Sequence, residues 1–140
     1  METEVESLIA EARALNLENV EILDRYSLSQ IAEIYNGIGP DRFPEWLREM
    51  LDDLHPSLCV VALIHDLEYY EGGSKEEFTE SNERFYRNGK TVAFAKYAWY
   101  DPRRYWVWNK ARQFRNICNA FGWAGWNKNG EAFNYKKKGA

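Results

Sequence analysis

The sequence predicts an all-α domain, and three observations carry that expectation. Apolar residues recur at spacings of three and four, capping signals precede several of these runs, and glycine or proline closes them. No alternating strand pattern of useful length, internal repeat or low-complexity linker stands out. With 140 residues, a single domain spanning 1–140 is expected, with enough chain for one core.

Thr3 and Glu6 read as a capping box for a first helix that carries Val5, Leu8, Ile9, Ala12 and Leu15 as far as Asn16. A second box, Ser27 with Gln30, opens a short helix with Leu28, Ile31 and Ala32 that must stop at Asn36-Gly37. Pro44 suits a first helical position. Behind it, Trp46, Leu47, Met50, Leu51 and Leu54 form one stripe up to the break at His55-Pro56. The run from Ser57 to Glu71 is the most apolar of all and predicts the buried central helix. Gly72-Gly73 ends it. Ser74 with Glu77 caps the next helix, whose inward face holds Phe78, Asn82 and Phe85 and whose expected end is Asn88-Gly89. Asp101-Pro102 reads as the cap and first position of a long helix with Val107, Ala111, Phe114, Cys118 and Phe121 inward. From Gly122 the tail turns irregular and ends in Lys136-Lys137-Lys138.

Apolar residues make up 45% of the chain and charged residues 29%, a mix that excludes a disordered chain. No run of about 18 apolar residues suggests a membrane-spanning helix. The acidic start, Met1-Glu2-Thr3-Glu4, does not look like a secretory signal. Cys59 and Cys118 sit in apolar helical patterns, which points to buried thiols and not to a disulfide framework. Charge is segregated. Through Glu83 there are 20 acidic and 5 basic residues; from Arg84 onward there are 13 basic and 2 acidic. The halves are expected to attract one another in the fold, or else the basic half faces an anionic surface. Five of the six tryptophans (Trp99, Trp106, Trp108, Trp123 and Trp126) lie in the basic half, which suits a phospholipid headgroup region as well as an ordinary core.

The chemistry has two histidines to draw on. His65 lies midway along the central apolar helix with Asp66 next to it, so the two side chains point roughly 100° apart around the helix axis. Tyr69 falls one turn beyond His65 on the same face. Upstream, Tyr35-Asn36-Gly37-Ile38-Gly39-Pro40 is a glycine-interrupted loop directly after a helix, where carbonyl oxygens can turn inward. Carbonyl and carboxylate oxygens suit a hard cation such as calcium. Each piece also has an ordinary explanation: a core histidine with a solvated aspartate, and an Asn-Gly turn closing a helix.

Together, and in this order, the pieces resemble the phospholipase A2 superfamily. His65-Asp66-Leu67-Glu68-Tyr69 is similar to its His-Asp-x-x-Tyr helix and Gly37-Ile38-Gly39 to its Gly-x-Gly calcium loop. The closest likeness is to the short bacterial and phage members, in which Gly-x-Gly-Pro comes first and a double glycine and capped helix follow. The likeness covers Tyr35 to Asn88, leaving extra helices at both ends and a basic aromatic region over 92–140.

The resemblance implies a phospholipase A2-like helical domain built on a glycine calcium loop and two central helices. The carbonyls of Tyr35, Gly37 and Gly39 and the carboxylate of Asp66 would be the calcium ligands. His65 would be the base that takes a proton from water, with Tyr69 steadying the group that orients it. The implied reaction is hydrolysis of the sn-2 ester of a glycerophospholipid. The implied partner is phospholipid or an anionic membrane surface, with no nucleic acid expected. The implied location is the cytoplasm or a phage particle. Two departures stand out: Asn82 occupies the place of the family's histidine-orienting aspartate, and the segment from Asp41 to Ile64 is longer than usual. An amide can accept the imidazole N–H but brings no charge to an imidazolium. Asn82 therefore keeps a second class of function open, an inactive phospholipase-like module that binds lipid or serves a phage particle structurally. A metal phosphohydrolase using His55, His65, Asp66 and Asp101 is a further alternative; His55, beside Pro56, lies too close in sequence to sit on the separate helix such a site needs. Nucleic-acid binding through the basic half lacks a recognisable module.

Overall fold

The computed structural model describes residues 2–35, 49 and 56–127. Helix α1 (Glu2–Ala14) leads through a 3-10 turn (Val20–Arg25) to α2 (Leu28–Tyr35). Then come α3 (Cys59–Glu71), α4 (Lys75–Lys96), α5 (Pro102–Phe121) and a closing 3-10 turn (Gly122–Gly125). The chain is all-α, and no strand occurs among the described residues.

Helix α3 is the axis of the core. Leu58, Val60, Val61, Leu63, Ile64 and Leu67 are almost wholly buried, so the helix must be covered all round. α1, α2, α4 and the Val20–Arg25 turn supply that cover. Cutting Leu63 or Leu67 back to Ala would leave a cavity worth about 2–5 kcal/mol. α4 and α5 form the most extensive helix pair, with the rings of Phe85 and Phe114 4.5 Å apart.

The capping chemistry is largely where the sequence places it. Ser74 accepts from Glu77 N while the Glu77 carboxylate accepts from Ser74 N, and Ser27 and Gln30 make the same reciprocal pair. Asp101 caps α5 ahead of Pro102. Two expectations are corrected. α1 already includes Glu2, so Thr3 lies inside the helix and not at its cap. α4 runs through Asn88-Gly89 to Lys96, because both residues serve tertiary contacts. Asn88 accepts from Glu18 N and donates to Glu18 O, and a side chain at Gly89 would collide with Ala111 on α5. The expected helix behind Pro44 lies outside the described residues.

The oppositely charged halves do meet. Arg84 pairs with Glu68, Arg87 with Glu18 and Glu80, Lys96 with Glu11, and Arg115 with Glu83. Cys59 and Cys118 are buried thiols that form no disulfide with each other. The region after Gly122 folds back on the α3–α4 hinge, where Gly72 and Gly73 have φ of 69° and 133°. Asn127 accepts from Gly73 N and donates its own N–H to Tyr69 O and its amide to Tyr70 O, so the exposed carbonyls at the end of α3 are satisfied. Trp126 donates to Gly73 O and is buried, so for this ring the ordinary-core alternative holds; Trp123 is half-buried against Phe78.

Candidate active site

The three residues expected to act together are brought together. His65 and Tyr69 lie one turn apart on α3, and Asn82 enters from α4, which the Gly72-Gly73 hinge folds back on α3. All three are buried, Asn82 completely. Nε2 of His65 lies 2.9 Å from Oδ1 of Asn82, and the Tyr69 hydroxyl donates to the same oxygen at 2.7 Å. Nδ2 of Asn82 donates to Oδ1 of Asn119 on α5 at 2.9 Å.

This arrangement sets the tautomer. An amide oxygen can only accept, so Nε2 of His65 carries the proton and Nδ1 keeps its lone pair. No hydrogen bond to Nδ1 is formed by the described residues. Tyr69, Phe85 and Phe114 wall the imidazole, their ring centroids 4.3, 5.1 and 5.7 Å from its own. Burial, with Arg84 adding to it, lowers the imidazole pKa to about 4 against the pull of the Asn82 hydrogen bond. His65 is therefore neutral at ordinary pH, the state a proton acceptor needs.

Asp66, the next residue, is partly buried and turned to another side of α3. Its carboxylate makes no hydrogen bond or ion pair with the described residues, and desolvation raises its pKa well above the usual range. A desolvated carboxylate with no counter-charge among the described residues is suited to a cation. Tyr35, at the end of α2, is close enough to Asp66 to feel its charge, and its hydroxyl pairs with the Cys59 thiol. Gly37 and Gly39 lie outside the described residues. Among the described residues there is no cluster of three His, Cys, Asp or Glu side chains that would hold a metal by itself. A carboxylate oxygen fits a hard cation better than a soft one.

Four residues near the site carry roles that their sequence positions did not signal. Asn119 gives the Asn82 amide its second partner. Gly122 looks like an ordinary helix stop, yet its φ is −74°, which any residue adopts. Its missing side chain makes room for Tyr69, since a Cβ there would stand 2.5 Å from the Tyr69 hydroxyl. Cys118 is hydrogen-bonded to that hydroxyl, and burial pushes its thiol up to about 12. Glu68, on another face of α3, accepts from Ser81, Asn19 and Arg84 and ties three segments together. Burial outweighs Arg84 and keeps its pKa raised. Beside Glu68 is an open cleft of about 400 Å³ lined by Glu71, Glu76, Glu77, Glu80 and Arg84, with none of the expected catalytic or metal residues in its wall.

No protein-family model, curated protein or solved structure matches this chain. No helix among the described residues is long and apolar enough to cross a membrane.

Proposed function

We propose that the chain is a phospholipase A2-like hydrolase that cleaves the sn-2 ester of glycerophospholipids with calcium. The observation that carries this reading is the His65–Asn82–Tyr69 network, which leaves Nδ1 of a neutral imidazole without a hydrogen bond from the described residues, next in sequence to Asp66, whose carboxylate has no hydrogen bond or ion pair with them. Asp66 and the carbonyls of Tyr35, Gly37 and Gly39 would hold the calcium ion, which when bound supplies positive charge to polarise the ester carbonyl and stabilise the oxyanion.

The chain's own residues do the proton work. Nδ1 of His65 takes a proton from water as the water oxygen bonds to the ester carbonyl carbon. The imidazolium then returns that proton to the glycerol oxygen as the carbon–oxygen bond breaks, giving a fatty acid and a lysophospholipid. Asn82 holds Nε2–H throughout, and Tyr69 holds Asn82. The aromatic wall keeps the ring in one orientation and excludes bulk water.

One observation favours a second reading, that of a catalytically silent lipid-binding or phage structural module. Asn82 gives the imidazolium no counter-charge. Fatty-acid release from mixed phospholipid micelles separates the two. The hydrolase reading expects release that requires calcium and disappears in His65→Ala. Release no greater than that variant's background, from folded protein with calcium bound, would establish the silent module instead.

A further inference from the structure

All six large hydrophobic residues that stand exposed among the described residues, Phe94, Trp99, Tyr100, Tyr105, Trp106 and Phe121, fall on α4, α5 and the connection between them. The most exposed, Trp99 and Tyr100 at 72% and 73%, form the corner itself. Rings that large normally find cover, and two in succession at a turn form an apolar projection. They are held in place: the Tyr105 hydroxyl donates to Trp99 O, and the Trp99 and Tyr100 rings meet edge-on at 5.6 Å.

Charge at the corner is equally one-sided. Asp101 is the sole acidic residue from Gly89 to Phe121, and Arg103 neutralises it. Arg84, Arg87, Lys96 and Arg115 have carboxylates, whereas among the described residues Lys110 and Arg112 of α5 have none, and neither do Lys90 and Arg104. Both instead sit over aromatic rings. The Arg104 guanidinium lies 3.7 Å from the Phe94 centroid, and Lys90 stands over Phe94 and Trp108. Cations parked on ring faces keep their charge available to an anion while their stems cover apolar surface.

We propose that this α4–α5 corner is a docking surface for an anionic phospholipid bilayer, with Trp99, Tyr100 and Tyr105 at headgroup depth and Lys90 and Arg104 against the phosphates. Aromatic rings with polar tips belong at the water–lipid boundary, and basic residues beside them select anionic headgroups. Single-stranded nucleic acid shares the charge requirement but needs open ring faces for bases to stack on. Here the Trp99 and Tyr100 rings meet edge-on, nearly at right angles and not as a parallel platform, and Phe94 and Trp108 have cations over their faces. The choice of a lipid surface rests in part on the hydrolase reading, so binding is measured without hydrolysis.

The experiment is cosedimentation of the full chain with diether phosphatidylcholine vesicles, with and without diether phosphatidylserine, at low and high salt. Ether lipids offer no ester, so a silent enzyme still binds. Binding should require phosphatidylserine and weaken with salt. Trp99→Ala with Tyr100→Ala should weaken it more than about tenfold, and Lys90→Gln and Arg104→Gln by about fivefold each. Trp99, Tyr100 and Lys90 are exposed and Arg104 is half-buried, and circular dichroism verifies the fold of each variant. Trp106→Ala, whose ring is turned to Lys110, is the control and should bind as the natural chain does. Absence of vesicle binding, binding unaltered by the corner substitutions, or an oligonucleotide bound more tightly than vesicles through the same residues would each overturn the proposal.

Discussion

Replacing Asn82 by Asp tests the proposed chemistry at its weakest point. The two side chains have nearly the same shape, so the packing of Phe78 and Phe85 around α4 should survive, while the group facing His65 gains a negative charge. Nε2 of His65 is 2.9 Å from the atom concerned. Unit charges about 4 Å apart at an effective dielectric of about 20 attract by about 4 kcal/mol, or about 10³ in rate when only the imidazolium state benefits. The serine-protease counterpart, in which Asp becomes Asn, loses about 10⁴. Opposing this, Asn82 is fully buried, and a carboxylate there loses its water. Tyr69 and His65 already donate to the position, and Asn119 can rotate its amide to donate as well. The net expectation is a rise in fatty-acid release between about tenfold and 10³-fold, with folding stability lower by about 1–3 kcal/mol. The assay compares the natural chain, Asn82→Asp and His65→Ala in calcium-containing micelles, with urea unfolding alongside. A folded, calcium-bound Asn82→Asp protein no faster than the natural chain would refute the reasoning.

Asp66→Asn should reduce calcium affinity by at least about tenfold, since carbonyl dipoles alone do not balance a dication; unchanged affinity by calorimetric titration would remove the site as drawn. Gly122→Ala should force the Tyr69 hydroxyl to move, weakening its bond to Asn82 and cutting activity more than stability; nuclear magnetic resonance of the His65 ring nitrogens reports whether its tautomer changes. Stability should also fall in acid through Glu18, whose pKa is lowered chiefly by its hydrogen bonds to Arg87. That contribution is complete above the ordinary glutamate range near pH 4.3 and disappears as the pH drops through the lower folded value. Both side chains are nearly half exposed, so screening limits it to about 0.2–1 kcal/mol. Thermal melts of the natural chain and Glu18→Gln should differ at pH 6 and converge by about pH 3; a constant difference would place the effect elsewhere.

Local chemistry made most of the fold readable. The boundaries of α2, α4 and α5 follow from Ser27, Ser74 and Asp101, because a cap is a contact between residues two or three apart. Asn88-Gly89 misled for the opposite reason. An Asn-Gly pair is a sound local stop signal, but Glu18 and Ala111, each over 20 residues away, give both residues a tertiary purpose. The histidine site divides the same way. His65, Asp66 and Tyr69 share one helix, and their relation follows from its periodicity. Asn82 could be placed because a short hinge folds its helix back. Asn119 and Gly122 could not be, since they reach the site only once α5 has packed. The choice between surface and core for Trp126 stayed open in the sequence because composition records that indole rings and lysines share a tail, not which rings the fold encloses.

The likeness to phospholipase A2 ends near Asn88, yet the proposed site does not close there. Without α5, Nδ2 of the fully buried Asn82 has no acceptor and the amide is free to rotate, offering His65 a donor in place of an acceptor. Without Gly122 and Cys118 the Tyr69 hydroxyl loses its seat, without Asn127 the Tyr69 and Tyr70 carbonyls near the end of α3 lose a donor, and without Trp126 the Gly73 carbonyl of the hinge loses one. The inner face of α5 thus completes the His65–Asn82–Tyr69 hydrogen-bond network, while the corner where α5 begins presents Trp99 and Tyr100 outward. One helix pair therefore links the proposed chemistry to the proposed lipid surface. The charge segregation follows the same division: Arg84, Arg87, Lys96 and Arg115 bind the acidic half, while Lys90, Arg104, Lys110 and Arg112 of the same helix pair have no carboxylate among the described residues, and the first two lie beside Phe94.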